Sequence, residues 1–156
     1  MSSTTRQLIQ SAAVKLAQAG CDAPKLDAEL LLMFVWSIGR TDLIIRAHDP
    51  VPEAIQNRFN TLLLRREQRE PLAYIIGEKE FWSRPFQVNP AVLIPRPETE
   101  HLIEAVLEFF PNQLGAYHFC DIGTDSGIIG ITLACEYPNA HIVATDISEA
   151  ALKVAI

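Results

Sequence analysis

The sequence predicts an α+β chain in two parts: an N-terminal helical bundle, a short β-hairpin linker, and then the first half of an α/β domain built on a parallel sheet. Three observations predict it. Apolar residues recur at helical spacing over residues 1–70. The stretch 71–97 is dense in aromatics and punctuated by Gly77, Pro85, Pro90, Pro95 and Pro97. From residue 98 onward helical and strand patterns alternate, which argues for parallel strands joined by right-handed crossovers. The length of 156 residues suits one ordinary domain, or a small one plus part of another.

Each element follows from its own signals. Leu8, Ile9, Ala12, Ala13, Leu16 and Ala17 form the first stripe, with Gly20 as a stop. Asp27 is placed to cap a second helix carrying Leu30, Leu31, Phe34, Val35 and Ile38, ended by Gly39. A short helical turn is expected near Leu43 to Arg46. Pro52 suits the first turn of a third long helix with Ile55, Phe59, Leu62 and Leu63. Tyr74, Ile75 and Ile76, then Phe81-Trp82 and Phe86-Gln-Val88, read as short strands or a hairpin. Glu98 to Phe110 reads as a helix, Tyr117 to Ile122 as a strand, and Ile128 to Glu136 as a helix. His141 to Thr145 is a second strand, and Glu149 opens a further helix. The domains are thus expected at 1–70, 71–97 and 98–156.

Composition narrows the class. Hydrophobic residues make up 49% and charged residues 21%, the balance of a globular chain and not a disordered one. The net charge of -6 argues against broad contact with a phosphate backbone, so no direct nucleic-acid binding is expected. Arg65, Arg66 and Arg69 are interleaved with Glu67 and Glu70, which reads as a solvated helix face. Cys21, Cys120 and Cys135 lack CxxC spacing and are expected as buried free thiols in a cytoplasmic protein, with no metal site. The polar start Met-Ser-Ser-Thr-Thr has no signal-peptide core, and the apolar run from Leu30 to Trp36 is too short to span a bilayer.

The chemistry concentrates in Asp121-Ile-Gly-Thr-Asp-Ser-Gly127 and Ala144-Thr-Asp146. In an open parallel sheet, ligands sit at the carboxyl ends of the strands. Gly123 and Gly127 frame a strand-to-helix turn that lets a ligand approach the backbone, with Thr124, Asp125 and Ser126 between them. The next helix offers unpaired N–H groups. Asp146 ends the next strand, where a carboxylate can accept both hydroxyls of a ribose. The dinucleotide pattern GxGxxG fails at Asp125 and Ile128, and no Gly-Lys-Ser/Thr phosphate loop exists. The remaining candidate is the fold that binds S-adenosylmethionine, with a tight structural strand-to-helix turn and a solvated Asp146 as the alternative.

Four blocks carry a family resemblance: Asp27-Ala-Glu-Leu-Leu-Leu32; Arg69-Glu-Pro-Leu-Ala-Tyr74 with Gly77 and Glu80-Phe-Trp82; Leu93-Ile-Pro-Arg-Pro-Glu-Thr-Glu100; and Asp121 to Gly127 with Asp146. The chain resembles the HemK/PrmC family of release factor glutamine methyltransferases over essentially its whole length. The resemblance implies a helical substrate-docking domain followed by a Rossmann-like S-adenosylmethionine-dependent methyltransferase domain. It implies N5-methylation of the glutamine in the Gly-Gly-Gln motif of peptide chain release factors. Gly123, Thr124, Asp125, Ser126, Gly127 and Asp146 would bind the cofactor, and Pro95 and Arg96 would lie near the substrate.

Two departures stand out. The family's Asn-Pro-Pro-Tyr motif, which would supply acceptors for the substrate amide, is absent, so no catalytic residue is expected in this chain. Ala155-Ile156 falls within an apolar helical stretch, and the expectation is a chain cut short of that motif and inactive alone. Asp125 stands where the family has glycine; repulsion from its carboxylate is expected to weaken cofactor binding, the alternative being a hydrogen bond to a cofactor hydroxyl. Two other functions compete: a non-catalytic module that binds release factor or ribosome, and a DNA adenine methyltransferase, disfavoured by the acidic charge.

Overall fold

A computed structural model describes residues 3–155. The expectations about Met1-Ser2 and Ile156 lie outside the described residues. The chain divides into two compact units, with the boundary between Ile76 and Gly77.

The first unit is helical: α1 (Thr5–Gln18), α2 (Pro24–Trp36), α3 (Arg40–Ile45), α4 (Glu53–Glu67) and α5 (Leu72–Ile76). Thr4 opens α1 through a capping box, in which its hydroxyl accepts the Gln7 N–H and the Gln7 side chain accepts the Thr4 N–H. The stripes meet as their spacing predicts. Leu8, Ala12 and Leu16 of α1, Leu31 and Leu32 of α2, and Phe59 and Leu63 of α4 are buried in one core, with Ile75 of α5. Phe34 and Ala17 belong to the predicted stripes but face solvent.

Three local readings change. Helix α2 begins at Pro24, whose fixed φ and missing N–H suit a first turn, so Asp27 lies inside the helix and is not its cap. It ends at Ser37, in the left-handed region at φ 54°. Gly39 instead caps α3, its N–H donating to the Asp42 carboxylate at 3.2 Å. Leu72–Ile76 is a turn of helix and not a strand: the Pro71 carbonyl accepts the N–H groups of Tyr74 and Ile75.

The arginine cluster is only in part a solvated face. Arg66 Nε donates at 2.8 Å to Asp27, a buried carboxylate on α2, and its Nη1 donates to the Glu70 carbonyl. Arg65 forms a two-pronged pair with Glu70, and Arg69 donates to the Gly20 carbonyl beyond the end of α1. Arg66 thus ties α4 to α2 and Arg69 reaches Gly20 beyond the end of α1, whereas Arg65 pairs locally at the end of α4.

The second unit opens with an antiparallel hairpin, β1 (Glu78–Phe81) and β2 (Arg84–Gln87). Its two-residue turn, Trp82-Ser83, is left-handed at both positions. Such a turn ordinarily uses Gly or Asn. Here Glu100 accepts the Trp82 backbone N–H at 2.8 Å and Glu136 accepts its indole N–H at 3.1 Å. A 3-10 turn, Pro97–Thr99, leads into α6 (Glu100–Phe109). Then come β3 (His118–Ile122), α7 (Ile128–Glu136), β4 (His141–Thr145) and the short α8 (Glu149–Leu152).

Strands β3 and β4 run parallel, in a register from His118 opposite His141 to Ile122 opposite Thr145. Helix α7 packs on one face of this pair and touches α6. Phe81, Phe86, Ile103, Ile128, Leu133 and Tyr137 form the core. The fully buried Tyr137 hydroxyl sits 2.9 Å from the Phe110 carbonyl and 3.1 Å from that of Val106, which fixes the end of α7 against the end of α6. The other sheet face, with His118, Cys120, Ile122 and Val143, is exposed. Cys120 and Cys135 are therefore exposed thiols, contrary to expectation, and only Cys21 is buried. The alternation of β3 puts Cys120 on the uncovered face. No helix among the described residues is long and apolar enough to cross a membrane.

Candidate functional site at the carboxyl ends of the parallel strands

The chain leaves β3 and turns sharply at Gly123 (φ +78°). The N–H groups of Gly123 and Thr124 both donate to the Thr145 carbonyl, at 2.8 and 2.9 Å. The turn is thereby fastened to the last residue of β4. Asp121 holds it from the strand side: one carboxylate oxygen accepts the Thr124 hydroxyl at 2.7 Å and the Gly130 N–H at 3.0 Å. That second bond satisfies a donor in the first turn of α7, which has no partner within the helix.

The two framing glycines do different work. A Cβ on Gly127 (φ +78°) would lie 3.0 Å from the Ile131 side chain and 3.1 Å from that of Ala155, so Gly127 serves close packing as well as conformation. A Cβ on Gly123 would meet nothing within 4 Å. The backbone at Gly123 is open on the side from which a ligand would approach.

Asp146 follows β4, and both of its carboxylate oxygens are engaged. One accepts the Asp125 N–H at 2.9 Å and the other the Ser148 N–H at 2.8 Å. The backbone N–H groups of Ser148 and then Asp125, with a smaller share from Ile147, hold its pKa below the ordinary carboxylate value against slight desolvation. The group is a fixed, half-buried anion. Each oxygen keeps lone-pair capacity beyond its one backbone bond, so the carboxylate can still accept a pair of hydroxyls.

Asp125 adopts the left-handed region at φ 54°, which Asp tolerates better than most residues. Its side chain reaches 32 residues back along the chain, where its carboxylate accepts the Leu93 N–H at 2.8 Å. Leu93 opens the Ile-Pro-Arg-Pro-Glu-Thr-Glu segment. Within that segment Pro95 is buried and Arg96 is exposed.

Residues 7–77 match the family model of the PrmC N-terminal domain. Nearly the whole chain is similar to the release factor glutamine methyltransferase of Koribacter versatilis, with 45% identity over 152 residues, 97% of this chain and 54% of that protein. The Nitratidesulfovibrio vulgaris protein of the same name is also 45% identical over 152 residues, 51% of its own length. Over the length it spans, the chain is similar to release factor glutamine methyltransferases. A bifunctional methyltransferase of Rickettsia prowazekii is 39% identical over 172 residues, covering 99% of this chain and 33% of that protein. The chain spans about half the length of the release factor glutamine methyltransferases it matches.

The residues that the sequence marks are brought together unevenly. Gly123, Thr124, Asp125, Ser126 and Gly127 form one turn, and Asp146 touches it through the Asp125 N–H. Ser126 is almost fully buried, and its hydroxyl has no hydrogen-bond partner among the described residues. Pro95 and Arg96 follow Leu93, whose N–H is bonded to the turn. Sequence reasoning missed the Thr145 carbonyl and the Leu93 N–H, because a backbone atom's role leaves no residue-type signal. It placed Asp121 at the head of the motif without its bonds to Thr124 and Gly130. The Asp-x-x-Thr spacing was the available clue. Among the described residues, no three His, Cys, Asp or Glu side chains group as a metal site would need.

Proposed function

We propose that this chain supplies the substrate-docking and cofactor-gripping portions of a protein-glutamine N5-methyltransferase. Its substrate is the Gly-Gly-Gln glutamine of peptide chain release factors, encountered in the cytoplasm. The observation that carries the reading is the 45% identity along 97% of the chain to proteins of that name.

The turn fits the nucleoside end of S-adenosylmethionine. Asp146, ionised and with spare lone pairs, accepts the ribose hydroxyls. Gly123 leaves the backbone open to the ligand. Asp121 and Thr124 keep the turn from relaxing when the ligand departs. The Ser126 hydroxyl, buried and without a partner among the described residues, is a further polar group within the turn. When bound, S-adenosylmethionine supplies a methyl activated by its sulfonium. Pro95 and Arg96 rim the substrate side, and the helical unit docks the release factor. The 156 residues hold no Asn-Pro-Pro-Tyr, so no residue of this chain receives a catalytic role.

The test is calorimetric titration of the 156-residue chain with S-adenosylhomocysteine, beside Asp146→Ala, together with capture of a purified release factor. Nucleoside binding that is lost in Asp146→Ala, with release factor retained, is the expected result. Release-factor capture without nucleoside binding would reduce the chain to a docking module. Preferential binding of NAD or ATP would sink the reading altogether.

A further inference from the structure

Asp125 joins three segments through one residue. Its backbone N–H donates to Asp146 at the end of β4, its own backbone is the left-handed centre of the glycine turn, and its carboxylate accepts the Leu93 N–H at 2.8 Å. The Leu93 segment is held on both sides of that bond. Asn89 accepts the Ala91 N–H on its side chain and the Val92 N–H on its carbonyl, and Val92 and Pro95 are buried. Leu93 itself is largely exposed, and its backbone N–H is tied to the turn by the Asp125 carboxylate.

We infer that Asp125 is a positioning residue, a clasp by which the nucleoside turn and the segment carrying Pro95 and Arg96 are held in one arrangement. The inference rests on the nucleoside reading of the turn and reverses the sign expected from sequence. A carboxylate in place of glycine suggests repulsion of the cofactor. Occupied by the Leu93 N–H, it stabilises the loop beside the cofactor turn instead. Removing it loosens the loop and, through the shared Asp125 N–H to Asp146, weakens the grip on the ribose. Asparagine can replace aspartate here in part, because its amide oxygen accepts the same N–H and the residue tolerates the same backbone.

The experiment uses the 156-residue chain as wild type, Asp125→Gly and Asp125→Asn. Amide exchange at Leu93 is followed by NMR, and S-adenosylhomocysteine affinity by calorimetry. Glycine relieves the positive φ, so Asp125→Gly folds. In that variant Leu93 exchanges about tenfold faster, the loss expected for one charge-assisted hydrogen bond, and the nucleoside dissociation constant rises about threefold or more. Asp125→Asn, which keeps the acceptor without its charge, falls between wild type and Asp125→Gly on both measures. Unchanged Leu93 exchange in Asp125→Gly, or nucleoside affinity equal to or tighter than wild type, overturns the clasp. Faster Leu93 exchange with no nucleoside binding by any version fails differently. It removes the nucleoside reading and confines Asp125 to holding a loop.

Discussion

Gly123 and Gly127 have the same φ, yet their surroundings separate their consequences. Gly127→Ala places a methyl 3.0 Å from Ile131 and 3.1 Å from Ala155, in a backbone region costly for an L-residue. It should lower unfolding free energy by about 2 kcal/mol or more in urea titrations. Gly123→Ala carries only the backbone penalty of about 1 kcal/mol, while nucleoside binding falls more steeply than stability. Asp146 adds a pH signature. Its folded pKa is lowered, so its contribution is fully present above the unfolded carboxylate value and is lost as pH falls through the lowered folded value. An NMR titration should therefore show Asp146 still ionised at a pH where exposed reference carboxylates are half protonated. Coincidence with those references would contradict the backbone bonds to Ser148 and Asp125.

Between elements, charge is used for fastening. The Asp27–Arg66 pair links α2 to α4 with both side chains largely buried. Arg66→Ala strands a buried carboxylate and should cost about 3 kcal/mol, whereas Asp27→Asn combined with Arg66→Met should recover much of that loss. A double-mutant cycle in chemical denaturation measures the coupling, and additive effects would count against it. The hairpin makes the complementary case. Ser83 holds φ 56° in a turn that favours glycine, so Ser83→Gly should stabilise the second unit by about 0.5–1 kcal/mol. A fall in melting temperature would mean that the Ser83 side chain contributes something its position does not reveal.

Across the whole chain, each unit has its own core. The helical core draws its members from Leu8 to Ile75, and the second runs from Phe81 to Tyr137. Thiol labelling reports on both. Cys120 and Cys135 should react rapidly with a small disulfide reagent in the native state, and Cys21 only when the helical unit opens. Rapid labelling of all three would place Cys21 outside its core. Most of this architecture was legible in the sequence. Helical stripes, the proline- and glycine-punctuated hairpin and the strand–helix alternation are periodic signals, and the periodicity follows from backbone geometry alone. The Gly-Thr-Asp-Ser-Gly turn and Asp146 were legible as well, because a tight strand-to-helix turn restricts residue type. Side-chain destinations were not. Asp27 read as a cap and proved to be half of a buried ion pair. Arg66 read as part of a solvated face and proved to be the other half of that pair, and Cys120 read as buried and lies on an open sheet face. Sequence by itself determined the elements, their order and the turn that frames the site, since these depend on neighbours a few positions away. Only the tertiary structure decided that Asp125 turns its carboxylate to Leu93, because that bond joins atoms 32 residues apart and exists only once the two segments have been folded together.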